Sequence, residues 1–180
     1  IAITYQNQLD EIARGLIEAF AESDQSAVPA LPDAPGLFTY PGAPAMPAGG
    51  TLIPGLAGTI RINAAVDPSQ GGDLTLLRDG GMAGAAYVYN ASGAAAFVGR
   101  LNEYVGNMAQ PRSFDPAVQL IPTATIFGFS SASTAWLQEA RKNANDDAQY
   151  ANTLQQRAQD SLAKETGVSI DEEMTMLLEL

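Results

Sequence analysis

The sequence predicts an α+β fold that is mostly α: long antiparallel helices, a short middle helix and a small β portion. Three features carry this reading. An apolar stripe recurs at helical spacing near the N-terminus, a long run toward the C-terminus contains neither Pro nor Gly, and one β-branched segment lies between them.

The first helix is predicted over about residues 4–22. Tyr5, Leu9, Ile12, Leu16 and Phe20 recur every three or four residues, and Ala13 and Ile17 widen the stripe. Ser23 to Ser26 ends it. From about 24 to 58, Pro29, Pro32, Pro35, Pro41, Pro44, Pro47 and Pro54 alternate with Gly and Ala, which predicts an extended loop on the surface. A mixed middle, about 59–129, follows. Within it Thr59 to Val66 reads as a strand ended by Asp67-Pro68, and Leu120 to Phe129 as a second extended segment. Between them Ser92 is placed to cap a helix with the stripe Phe97, Leu101, Tyr104 or Val105, and Met108, ending before Pro111.

The long helix is predicted over about 131–165. At 1.5 Å per residue it would run roughly 50 Å. Its seam of Leu137, Ala140, Ala144, Ala148, Ala151, Leu154, Ala158 and Leu162 is mostly alanine, so it buries little area per residue and lets a neighbouring helix come close. Such a helix needs a partner along its length. The packing residues expected to matter most are Leu9, Ile12, Leu16 and Phe20 facing Leu137, Ala144, Ala151, Leu154 and Leu162. Gly167 stands at a C′ position, and Ser169 with Glu172 forms a Ser-x-x-Glu capping box for a further helix over 169–180. That helix has only begun its apolar face at Leu180, so more helix is expected beyond it. One structural core domain over 1–180 is the simplest organisation for a chain this long with 46% apolar residues.

Composition narrows function by exclusion. Nine basic against 20 acidic residues leave a net charge of -11, which repels nucleic acid and anionic lipid, so neither is an expected partner. With neither His nor Cys, thiol and Ser-His nucleophiles and the usual zinc, haem and iron-sulfur ligand sets are out of reach. The most apolar stretch, Met82 to Gly99, is broken by Asn90 and Ser92 and does not read as a bilayer span. The first residues lack the basic region of a cleaved signal peptide.

The remaining chemical motifs are weak. Ser161 and Lys164 match Ser-x-x-Lys but sit in the predicted long helix with no companion motif. Gly128-Phe129-Ser130 resembles half of a nucleophile elbow; without His it reads better as the start of the long helix, with Ser130 or Ser131 as its cap. Asp67, Ser69, Gly71 and Asp73 faintly resemble a calcium loop that lacks its bidentate Glu, and read as a turn. Gly49-Gly50 and Gly80-Gly81 lack the Lys of a phosphate cradle and read as turns. Tyr87, Tyr89, Phe97 and Tyr104 read as core aromatics. No catalytic residue, cofactor or metal site is predicted, and the chain reads as a non-enzyme.

One motif is specific. Gly167, Val168, Asp171, Glu172, Glu173, Met174, Leu177 and Leu178, within Gly-Val-Ser-Ile-Asp-Glu-Glu-Met-Thr-Met-Leu-Leu, resemble the signature near the C-terminus of the flagellar hook-associated protein 1 family, the hook-filament junction proteins. Two further segments resemble the same family in the expected order: Tyr5 with Gln8 to Ala13 before the Pro/Gly loop, and Ile60 to Val66 with Leu76 to Gly81 after it. The resemblance implies a core fragment of a structural subunit that joins hook to filament through helix packing, without the terminal helical segments that form the family's axial coiled coil. It implies an extracellular place in the bacterial flagellum, reached without a cleaved signal peptide. It also implies other copies of itself, the hook protein and the second junction protein as neighbours, and an export chaperone for the full-length protein. Lacking the pairing segments, the chain is expected to stay monomeric. Other flagellar axial proteins of hook or rod, a secreted adhesin-like binding module, and an enzyme working through paired carboxylates remain as alternatives.

Overall fold

A computed structural model describes residues 1–28, 31–167 and 170–179, with the side chains of 170–173 outside the description. The fold is α+β and mostly α. Helix α1 spans Ala2–Ala19, α2 Leu76–Asp79, α3 Gly99–Ala109, α4 Ile126–Thr166 and α5 Ile170–Leu178. Strand β1 (Phe38–Thr39) pairs antiparallel with β2 (Arg61–Ile62), with Phe38 opposite Ile62, and β3 (Arg112–Ser113) pairs antiparallel with β4 (Thr123–Ala124), with Arg112 opposite Ala124. Two compact units result, Ile1–Leu137 and Gln138–Leu180, where composition pointed to one domain.

In the first unit α1 is the central element. Ala13 and Ile17 pack with Tyr40 and Leu56 in one cluster; Val66, Met82 and Tyr104 form a second, and Phe114, Val118 and Phe129 a third. Phe20 bridges two of these regions, meeting the Phe38 ring edge-on at 5.3 Å and the Tyr104 ring at 4.9 Å. Phe114 stacks on Phe129 at 3.9 Å. The Pro/Gly-rich segment is therefore not a surface loop throughout: Ala34, Tyr40 and Leu56 are buried, and the short 3-10 turn Leu56–Gly58 lies against α1. Its apolar residues follow no regular period, and they supply area that α1 has no sheet to find elsewhere.

Several sequence boundaries move for local reasons. The strand expected over 59–66 stops at Ile62 because the Asn63 carboxamide accepts from Ala65 N–H and donates to Gly36 C=O, which turns the chain. The helix expected from Ser92 starts at Gly99 instead. Ser92 donates to Asn90 Oδ1, and that same oxygen accepts from Ala94 N–H, so the small residues after it form a turn. The extended segment expected over 120–129 shrinks to Thr123–Ala124. Thr125 then caps α4, its Oγ1 accepting from Gly128 N–H at 3.0 Å, so Ser130 and Ser131 lie inside the helix and are not its caps.

Close approach fixes two glycines. A Cβ on Gly36 would stand 2.2 Å from Phe20 O, and one on Gly72 would stand 2.4 Å from Ala64 O. Among the described residues no helix is long and apolar enough to cross a membrane.

Candidate packing surfaces

The α1 seam residues Leu9, Ile12, Leu16 and Phe20 are half-buried, and four polar residues of α1 are buried as completely as Ile17 and Ala19. Gln8, Asp10, Glu11 and Arg14 are each fully buried. Gln8 donates to Val118 C=O at 3.1 Å and accepts from Ser133 Oγ at 2.8 Å. Asp10 accepts from Gly55 N–H and Ala57 N–H, both at 2.8 Å, and so ties the Pro/Gly segment to the helix. Glu11 receives Arg14 Nε and Nη2 on its two oxygens at 2.8 Å each and also accepts from Asp115 N–H at 2.8 Å.

Arg14 in turn donates to Glu18 and to Ser113 C=O. Burial works against the Arg14 charge, but the Glu11 and Glu18 carboxylates outweigh it, and the net shift of its pKa is upward. Burial pushes Glu18 up despite Arg14 and Arg112 beside it. The effect is a set of side-chain clamps on one helix that hold segments distant in sequence.

A second clamp stands just past the end of α1. Glu22 is fully buried; its backbone exchanges two 2.8 Å hydrogen bonds with Ala34, and its carboxylate accepts from Met82 N–H and Ala83 N–H. Burial pushes the Glu22 carboxyl upward, against the pull of those N–H groups and of Arg100. Arg100, also fully buried, lies 4.2 Å from the Tyr89 ring centre and 4.3 Å from that of Tyr104, and donates to Glu103 and to Ala21 C=O. The inward face of α3 is thus Arg100 with Tyr104, while Leu101 and Val105 of the expected stripe are exposed. Tyr87 and Tyr104 are buried, and Tyr87 Oη donates to Pro32 C=O, as expected of core aromatics.

Helix α4 meets α1 over its first turns. Ser133 reaches Gln8, Phe129 sits in the cluster on which Ile12 packs, and a Cβ on Gly15 would stand 3.4 Å from Ile126 Cγ1. Numbers fall on one helix as they rise on the other, so the two run antiparallel. Leu137 is half-buried. Ala144, Ala151, Leu154 and Leu162, the rest of the predicted seam, are exposed, as is every residue from 141 to 167. The ion pair of Lys142 with Asp146 at 2.9 Å is exposed on both sides and adds only a few tenths of a kcal/mol, about 0.3–0.5. Asn143, Asn145, Asn152 and Thr153 are weak helix formers, so this stretch has little of its own to hold it.

The C-terminal motif is described in part. Gly167 N–H donates to Ala163 C=O at 2.7 Å, and a Cβ there would stand 2.3 Å from that oxygen. Val168 and Ser169 lie outside the described residues, as do the side chains of Asp171, Glu172 and Glu173, and the capping box with them. On α5 the side chains of Met174, Met176, Leu177 and Leu178 are exposed, Leu178 by 83%. A further apolar surface opens on the first unit, a groove of about 550 Å³ lined by Phe20, Tyr104, Val105, Met108, Ala109 and Phe127.

The residues with a weak chemical reading have structural partners or lie exposed on a helix. Asp67 accepts from Ser69 N–H at 2.9 Å and from Gln70 Nε2 at 2.7 Å, which hold its carboxyl below the usual range, and Asp73 accepts from Thr75 N–H at 2.8 Å. Ser161 and Lys164 are exposed on α4. Among the described residues no three His, Cys, Asp or Glu side chains come together in a way that could hold a metal ion. No known protein family, curated protein or solved structure matches the chain.

Proposed function

We propose that the chain is a structural subunit of the bacterial flagellum, belonging to the hook-filament junction, whose work is mechanical. The sequence support is the motif from Gly167 to Leu180, together with the two resembling segments before it. The observation that carries the reading physically is α4: residues 141–166 form regular helix with every side chain exposed, and an alanine-rich seam lies along it. A helix of this composition gains stability from a neighbour laid along its seam. Ala144, Ala151 and Ala158 let such a neighbour come close, and Leu154 and Leu162 give it apolar area.

Neighbours on this reading are other copies of the subunit and the adjoining axial proteins of hook and junction, in a helical array where heterologous contacts repeat without closing. The clamped first unit supplies a rigid body on which such contacts can be placed. The extracellular location belongs to the same proposal.

Cells lacking their own hook-filament junction protein provide the test. The full-length gene that encodes this chain is expected to restore filaments, and the same gene without the codons for Gly167 to Leu180 is not. Export of the intact product without filaments would withdraw the junction assignment in favour of another axial position or a secreted binding module.

A further inference from the structure

We draw no further inference here: the strongest candidate, the apolar groove between the end of α1, α3 and the first turn of α4 lined by Phe20, Tyr104, Val105, Met108 and Phe127, carries nothing because nothing in the structure shows what covers it.

Discussion

The Glu11–Arg14 pair offers a quantitative test of the clamp on α1. Glu11→Leu removes the carboxylate that accepts two hydrogen bonds from Arg14 and one from Asp115 N–H, while Arg14 keeps Glu18 and Ser113 C=O. Arg14→Met leaves Glu11 as a buried carboxylate with the Asp115 N–H alone. Breaking a buried ion pair from one side costs about 3–5 kcal/mol, because the remaining charge is stranded. Arg14→Met is therefore expected to cost that much, and Glu11→Leu about 3 kcal/mol, the lower end, because Arg14 keeps Glu18. The double substitution removes both charges together and leaves Asp115 N–H and Ser113 C=O without their clamps, a loss of about 1–3 kcal/mol for each group left unsatisfied.

The double variant should then cost about as much as either single one, with a coupling energy of about 3 kcal/mol. Urea unfolding followed at Trp136, the sole tryptophan, half-buried on the part of α4 that belongs to the first unit, reads the stability of that unit. Singles that cost under about 1 kcal/mol, as exposed pairs do, would refute the clamp. So would losses that add to within about 0.5 kcal/mol.

Three other outcomes follow from the same geometry. Hydrogen bonds from Arg78 and Asn90 lower the Asp79 carboxyl to about 2, so its contribution to stability is full above its ordinary 3.8 and is lost as pH falls toward 2; Asp79→Asn should flatten the stability profile over that window, and an unchanged acid limb would contradict it. Arg100→Lys loses the planar stack between Tyr89 and Tyr104 and should lower stability by about 2–3 kcal/mol in urea unfolding, whereas a loss under 0.5 kcal/mol, about the size of a surface substitution, would mean the cage contributes little. Gly72→Ala forces a Cβ to 2.4 Å from Ala64 O and should cost more than about 2 kcal/mol, while Gly106→Ala, in open space on α3, should stabilise by about 0.5–1 kcal/mol; thermal unfolding of the two variants would show opposite shifts.

The helices were legible where the signal was local. The periodic stripe of Tyr5 to Phe20 and the run without Pro or Gly after Ser131 mark α1 and most of α4, but the face of α4 that meets α1 is Ile126, Phe129 and Ser133, before most of the seam expected to pair with it. Glu11, Arg14 and Glu18 were not legible as buried groups, since their spacing of three and four is the same for solvent-exposed ion pairs on a helix surface. The only hint was indirect: a long Pro/Gly segment has backbone N–H groups that must find acceptors, and Asp10 meets two of them. Arg100 defeated the stripe on α3 because two tyrosine rings make an interior site for a guanidinium that hydrophobic periodicity does not register. Thr125 gives no distinct cap signal in the sequence, because Ser130 and Ser131 after Phe129 mark a later start equally well. The α4 seam was readable as a pattern, but a pattern does not say which molecule closes it.

That question is also the one on which the account depends, and the absence of cysteine makes it accessible. Ala151→Cys puts a single thiol in the middle of the exposed seam, where a small maleimide reaches it in the free chain. If the proposed junction role holds, then in isolated flagella whose full-length subunit carries the variant the thiol is protected and a short cross-linker joins it to a neighbouring subunit. Labelling as fast in the assembled structure as in the free chain would show that α4 is not a packing surface, and would contradict the account at its centre.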